Sequence, residues 1–507
     1  MNPERVNYNY CEDLPSKPLS KETRILVTGA NGYVARRLIP ELVHRGYFVR
    51  CLYRNNHTPS LLTHERIETA YADCLDLEEL TPVFEKIEYA YYFIHSMRAE
   101  QGKFAQLDKR AARNFATAAS AVGVKKIIYL GGLGNTGSGL SPHLRSRQEV
   151  GKILSQGNVP VIQLRAAIII GAGSASYELL KSLVSHNRLV PFLSEFNSLC
   201  QPIAIRDVIK YLVGSMESTN MQPGVYPIGS EEIFSYKDLI NRMARCLRRP
   251  VFFIDFSWVP LPVNILCRIY SYWLHLFTSV PVNIISLLLA SLKSNVVCFD
   301  IEIRKLIPFQ TITFDEAVQR ALDRESKSMV HSHWSDVPPD KMIDFLPMCE
   351  YETSDFIIDE HWRDIPASPE KIFELLSKMG GSHGWYGGNC LWRIRGFIDR
   401  LLGGVGLQRG RRDDLDLRVG DSLDFWRVEE LLINRQLLLR AEMITPGLSW
   451  LQFELSPISE KITRLTLKAH FIPNSLWGHI YWYSLSSFHN YIFQGMLDHF
   501  YYEAVSK

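Results

Sequence analysis

The stretch "RILVTGANGYVARRLIPELVHRG", residues 24–46, constrains the fold more than any other part of the chain. A β-branched run, a turn with glycines three apart and an amphipathic run follow one another, in a span just long enough for one strand–turn–helix unit. In "TGANGYVA" the spacing is Gly29-x-x-Gly32-x-x-Ala35. The first glycine permits the tight exit from the strand, and the second lets backbone N–H groups approach a pyrophosphate at the helix N-terminus. The third position needs only a residue small enough for the helix to lie on the sheet, and Ala35 satisfies that. Gly29, Asn31, Gly32, Tyr33 and Val34 are therefore candidate dinucleotide contacts. The bland alternative is a turn that serves only the chain reversal.

After a polar lead-in over residues 1–21, expected to be disordered and with no apolar core of a signal peptide, short β-branched runs alternate with helical stretches. Strands are expected at Ile25–Thr28, Phe48–Tyr53, Ile67–Tyr71, Tyr91–Ile94, Lys126–Leu130 and Val161–Ile170. Helices are expected at Tyr33–His44, Leu77–Ile87, Phe104–Val122 and Arg147–Ser155. Strict alternation implies parallel pairing by right-handed crossovers, hence a doubly wound α/β sheet. At 507 residues the chain exceeds one core, and roughly two to four domains of about 150 residues are expected. The pattern stops in "ESKSMVHSHWSDVPPDKMIDFLP", and residues 326–348 read as a linker. Beyond it come strands with turn signals and a long aromatic helix near Ser475–Ala504, an α+β order.

Lys plus Arg number 56 against 54 Asp plus Glu, so global charge gives no case for nucleic acid. Nine scattered cysteines with no C-x-x-C pair fit reduced thiols in the cytoplasm and no zinc site. Residues 269–292 carry no Asp, Glu, Lys or Arg and have bilayer-spanning length. Pro281 and several polar residues interrupt the run, which favours two helices meeting there, with peripheral membrane contact as their further use.

At the end of the second strand, where a carboxylate would accept hydrogen bonds from the ribose diol of NAD, the chain reads "CLYRNNH". Arg54 suits a 2′-phosphate, so NADP is favoured, with NAD the alternative. The bland reading of Arg54 is a solvated arginine. Asp73 and Cys74, in "YADCLDLEEL", are further candidate cofactor contacts, and Asp73 either bonds the adenine amino group or caps a helix.

Together "ILVTGANGYVARRL", "YADCLDLEEL", "AYYFIHSM", "KKIIYLGGLG" and "QPIAIRDVIKYL" resemble an atypical short-chain dehydrogenase/reductase of the NmrA-like, NAD(P)-binding kind, over residues 22–325. The resemblance implies a Rossmann domain with a substrate lobe near residues 235–300, and places His95 and Ser96 beside the cofactor at the fourth-strand end. It also implies a catalytic Ser or Thr at the fifth-strand end and a Tyr-x-x-x-Lys pair on the helix that follows. This chain departs from both. It has Gly131 and Gly132 in place of the serine, with Gly131 kept as a cofactor contact, and His143-x-x-x-Arg147 in place of the pair. His143 is the candidate proton donor, and Arg147 a holder of a ribose hydroxyl or an anionic substrate group. Ser138 and Ser141 are further hydrogen-bonding candidates, while a capping or surface role for His143 is the plain alternative.

Residues 349–507 resemble an uncharacterised domain found attached to such reductases, similar in layout to the SRPBCC or START-like helix-grip fold. "GGSHGWYGGNCLWRIRGFIDRLLGGVGLQRGRRD", "LRVGDSLDFWRVEE", "LLLRAEMITPGLSWLQFEL" and "SLWGHIYWYSLSSFHNYIFQGML" carry the match, which implies a curved antiparallel sheet around the terminal helix with an apolar cavity between. Trp477, Tyr481, Leu485, Phe488, Ile492 and Met496 recur at helical steps as one apolar face, for packing or for a ligand. Arg409, Arg411 and Arg412 form either a self-neutralised turn or an anion site joined by Arg393 and Arg395. The expected protein is an NADP(H)-dependent oxidoreductase acting on a lipophilic small molecule. The other reading is a non-catalytic NAD(P)(H)-binding redox sensor or lipophilic-ligand carrier.

Overall fold

The computed structural model describes residues 9–54, 64–94, 104–134, 141–192, 194–255, 263–278, 280–292, 294–298, 300–327, 329–336, 347–407, 411–412 and 417–506. The chain forms two compact units, Met1–Leu274 with Val282–Asp340, and His275–Pro281 with Lys341–Lys507.

The first unit is built on a seven-stranded sheet of β1 (Arg24–Thr28), β2 (Phe48–Tyr53), β3 (Ile67–Tyr71), β4 (Tyr89–Tyr92), β5 (Lys126–Gly132), β6 (Val161–Ala166) and β7 (Gly224–Ile228). Their order across the sheet is β7-β6-β5-β4-β1-β2-β3, and every neighbouring pair is parallel. Ile25, Leu26 and Val27 are all fully buried because helices cover both faces, which is why β1 reads as a continuous apolar run rather than an alternating one. The order reverses between β1 and β4, so a crevice opens there at the carboxyl ends of the strands.

Helix α1 (Ala35–His44) follows β1. α2 (Leu77–Val83), α3 (Phe104–Val122), α4 (Pro142–Ser155), α5 (Ala175–His186), α6 (Ile205–Glu217) and α7 (Tyr236–Cys246) continue the unit. Helices α8 (Val263–Phe277) and α9 (Val282–Ser291) are the two that meet at Pro281, and no described helix is long and apolar enough to cross a membrane.

Five local expectations change. β4 lies two residues earlier than the alternation predicts, and the long sixth strand is broken, with Ile169–Ile170 pairing separately with Ile203–Ala204. α4 starts five residues before Arg147, because Ser141 caps the Leu144 N–H and Pro142 takes the first turn, where a missing N–H is harmless. The lead-in, expected to be disordered through residue 21, is packed from residue 9 onward. Cys11 is buried, the Tyr10 N–H donates to Glu41 Oε1 at 2.7 Å, and Lys210 pairs with Asp13 at 2.6 Å. The segment expected as a linker likewise begins with buried His331, Ser332 and Trp334, and the Trp334 N–H donates to the Gly173 carbonyl at 2.8 Å.

The second unit is α+β. Its antiparallel strands are β8 (Ile357–Ile365), β9 (Ser422–Leu423), β10 (Trp426–Leu432), β11 (Gln436–Ala441), β12 (Gly447–Ser459) and β13 (Ile462–Pro473), ordered β8-β13-β12-β11-β10-β9. Helices α10 (Pro369–Ser377) and α11 (Asn389–Leu401) precede the sheet's main part, and α12 (Leu476–Val505) ends the chain against it. The expected apolar face of α12 is displaced: Ile492 and Met496 are buried, but Trp477 is 75% and Phe488 50% exposed. At about 100° per residue, Trp477 lies about 100° around the helix from Met496. The face the sheet covers runs instead through Gly478, Trp482, Phe493, Met496, Phe500 and Ala504.

Candidate functional site

The glycine turn sits at the β1–β4 crevice and is fastened from both sides. The Thr28 hydroxyl donates to the Tyr91 carbonyl at 3.1 Å and accepts from the Phe93 N–H at 3.0 Å, tying the ends of β1 and β4 together. Gly29 has a φ of +60°, and a Cβ there would come within 3.4 Å of the Phe93 carbonyl oxygen. The left-handed conformation makes glycine the fitting residue. The Gly32 N–H closes the turn onto the Gly29 carbonyl at 2.8 Å, so Gly32 contributes an open approach rather than a donor.

The N–H groups of Asn31, Tyr33 and Val34, by contrast, meet no protein acceptor among the described residues. Three orphan donors at the positive end of α1 form an anion-binding concavity. With the left-handed Gly29, they fit the pyrophosphate of a dinucleotide. Tyr33 contributes only its backbone to this concavity. Its ring lies under the Arg37 guanidinium at 4.0 Å, and its buried hydroxyl abuts Gly171, where burial pushes the phenol up to about 12. Arg37 anchors this arrangement by donating to the Ala172 carbonyl at 2.8 Å and to Ser332.

Arg54 is exposed just past the end of β2, whose Leu52 carbonyl accepts the Ala30 N–H of the turn. Asp73 follows β3, and its Oδ1 accepts the Leu75 N–H at 2.9 Å. The capping role weighed for Asp73 belongs to Asp76, which accepts the N–H groups of Glu78 and Glu79. Cys74, a candidate cofactor contact, is instead buried in the core cluster with Leu52, Ala72 and Leu80, which pushes its thiol up to about 12. His95, Ser96 and Ser138 lie outside the described residues.

Farther along the same sheet edge, Gly131 and Gly132 end β5 opposite Arg165 and Ala166 of β6. A Cβ on Gly132 would lie 2.6 Å from Leu144 Cδ2, so a serine there would displace the Leu144 side chain of α4. Arg147, four residues after His143 on α4, is held to the end of β5. Its guanidinium donates to the Leu130 carbonyl and lies 5.3 Å from the Tyr129 ring, while the Tyr129 hydroxyl donates to the Arg147 carbonyl at 2.9 Å. Ser141 is spent as the helix cap.

His143 stands in the first turn of α4, half-buried, on the wall of a cavity of about 160 Å³. The floor of that cavity is Gly132 and Ala166–Ile168 at the carboxyl edge of the sheet; leucines of α5 and α9, with Tyr236 and Tyr270, close it. Sequence reasoning missed Tyr236 and Tyr270, which no local motif marks. It also read His143 as a loop residue although "SPH" carries the cap-and-proline signature of a helix start.

In the second unit the arginine cluster is largely committed to structure. Arg412 makes a paired contact with Asp421 at 2.9 Å, Arg411 donates to the Met379 carbonyl at 2.7 Å, and Arg395 donates to the Ile444 carbonyl at 2.7 Å. Arg409 lies outside the described residues. Arg393 and Arg400 line a separate cavity of about 370 Å³ with Trp385 and Trp392.

Residues 29–157 match the NAD(P)H-binding family, and residues 352–496 match a family described as protein of unknown function, DUF2867. Photosystem II assembly factor Ycf39 of Cyanophora paradoxa is 21% identical over 242 residues, 46% of this chain and 74% of that protein. Cinnamoyl-CoA reductase 2 of Arabidopsis thaliana is 28% identical over 117 residues, 22% of this chain and 35% of that protein. Among solved structures, UDP-glucose 4-epimerase of Thermotoga maritima, with UDP-glucose, aligns at 13% identity and a TM-score of 0.46, covering 61% of this chain and all of that one. The first unit thus carries an NAD(P)H-binding domain of the Rossmann kind, and the second carries a DUF2867 domain.

Proposed function

We propose that the protein is an NADP(H)-dependent oxidoreductase of the atypical short-chain dehydrogenase/reductase kind, acting on a lipophilic small molecule. One observation carries this reading: the carboxyl edge of a single parallel sheet bears both the orphan amides of the glycine turn and an apolar cavity walled by His143. The amides of Asn31, Tyr33 and Val34 would hold the pyrophosphate, with Arg54 selecting a 2′-phosphate and Asp73 meeting the adenine end. Bound there, the dinucleotide supplies hydride chemistry.

His143 would donate a hydrogen bond, and then a proton, to the substrate oxygen, and the N-terminal end of α4 favours the negative charge that develops on it. Arg147 would orient the ribose side from its anchor on β5. The leucine walls exclude water and select an apolar partner. Exposed Ile269 and Tyr272 on α8 support peripheral membrane contact, which co-sedimentation with lipid vesicles would test. The antiparallel sheet backed by α12 supports the START-like kinship of the second unit.

The test is NADPH oxidation by the full-length protein with apolar aldehydes and ketones. Turnover is expected, with His143→Gln lowering it about 10²- to 10⁴-fold. Arg54→Asp should weaken NADP about tenfold more than NAD. Binding of NADPH without oxidation of it by any carbonyl compound would favour the sensor or carrier, a reading that the glycines at the serine position also support.

A further inference from the structure

Helix α11 turns its apolar side to solvent. Ile394, Phe397, Ile398, Leu401 and Leu402, three and four residues apart, form one continuous side that runs just past its last turn, and each is between 45% and 63% exposed. The inward side carries Gly396, Asp399 and Arg400 beside Leu391 and Trp392. This orientation is fixed. Asp399 is fully buried and accepts the N–H groups of Gly406 at 2.9 Å and Ile444 at 2.7 Å, and a Cβ on Gly396 would lie 2.8 Å from Leu407 Cγ. Rolling the apolar side inward would strip both amides of their acceptor and drive large side chains into a space that fits glycine.

Helix α12 extends the exposed surface. From Leu476 to Leu497 it has no Asp, Glu, Lys or Arg, and Leu476, Trp477, Ile480 and Tyr483 are exposed in its first turns. Those turns meet the same loop as α11: Arg395 donates to the Ile444 carbonyl, and a Cβ on Gly478 would lie 2.5 Å from the Pro446 carbonyl oxygen. The five half-exposed side chains of α11 alone present on the order of 500 Å², the upper end of the range of about 300–600 Å² for the largest apolar patch on a monomer.

The charges around this surface indicate what covers it. Arg393 and Arg395 stand roughly 100° to either side of the centre of the apolar side, whereas the one acid of α11 is the buried Asp399. An uncharged, aromatic ridge edged by arginines suits the headgroup layer of an anionic bilayer. Apolar side chains reach the acyl boundary, arginine stems lie along it with their guanidinium groups at the phosphates, and Trp477 and Tyr483 keep polar tips in the interface. We infer that α11 and the first turns of α12 seat the second unit on an anionic membrane surface. The inference rests on this unit alone, not on α8 and not on the oxidoreductase reading.

The experiment is co-sedimentation of the full-length protein with vesicles of phosphatidylcholine containing about one-third phosphatidylglycerol, and with vesicles of phosphatidylcholine alone. Binding to the anionic vesicles is expected, several-fold stronger than to the neutral ones and weaker as salt is raised. Phe397→Ser combined with Leu401→Ser should lower it at least tenfold, and Arg393→Gln about fivefold on the anionic vesicles only. All three positions are exposed, so an unchanged melting temperature serves as the folding control. No sedimentation of the wild type with anionic vesicles, or undiminished binding by the double variant, would overturn the inference. A dimer in the absence of lipid that the double variant dissolves would also overturn it, by giving the surface to a second copy of the chain. Ile269→Ser combined with Tyr272→Ser on α8 should leave vesicle binding in place; its loss there, with binding kept by the α11 variant, would assign the membrane contact to α8 instead.

Discussion

Gly171 shows how one hydrogen atom in place of a side chain can position a binding turn. A Cβ there would lie 2.5 Å from Ile205 Cγ2 and 2.7 Å from the Tyr33 hydroxyl. Ile205 is buried and β-branched and cannot swing aside, so Tyr33 would have to move. Gly171→Ala is therefore expected to cost about 1–3 kcal/mol in a denaturant melt and to weaken NADP as the Tyr33 amide shifts. An unchanged melt with unchanged NADP affinity would show that the ring does not set the turn. None of this is visible locally, because Gly171, Ile205 and Tyr33 come from three distant parts of the chain. The role of Gly29, by contrast, is legible from its neighbours, since the strand and the helix that force the left-handed turn adjoin it in sequence.

Among the elements, α12 separates periodicity from burial. Its aromatic and aliphatic residues lie on nearly every side, and the sheet covers only one of them. Met496→Ala, at a fully buried position, should cost about 2–5 kcal/mol, whereas Trp477→Ala at the exposed position should change stability by less than about 0.5 kcal/mol. Urea melts of the two variants settle which face is packed; comparable losses would restore the stripe drawn through Trp477. At α4 the sequence carries the signal outright, as Ser141 and Pro142 mark the start that places His143 on a helix. Here the cap, a local device, was the better guide than the run of apolar residues.

At the level of the whole molecule, the antiparallel unit carries a proton-linked stability. His470 is 5% exposed and donates through Nε2–H to Gln452 Oε1 at 2.9 Å. Burial, then the nearby charge of Lys468, hold its pKa down to about 4, below the ordinary 6.5. The unfolded chain takes up this proton near pH 6.5 and the folded unit only near 4, so stability is complete above pH 6.5 and falls with pH between those values. The loss at the acid end is on the order of 3 kcal/mol. Half-buried His489 is shifted in the same direction, with desolvation again the main cause. His470→Asn should flatten the decline in melts taken from pH 7 to pH 4, and an unaltered slope would assign it to other groups. What the sequence determined by itself was the alternation of strands and helices, the glycine turn with its dinucleotide, the change to α+β order, and the absence of the serine and tyrosine of related reductases. Those features are local or periodic, and neighbouring residues suffice to specify them. Only the tertiary structure decided that residues 9–21 pack, that a serine at Gly132 would displace Leu144 of α4, and that Tyr270 and His143 line one cavity. Each of these depends on residues far apart in the chain meeting in space, and burial is a property of that meeting rather than of any one segment.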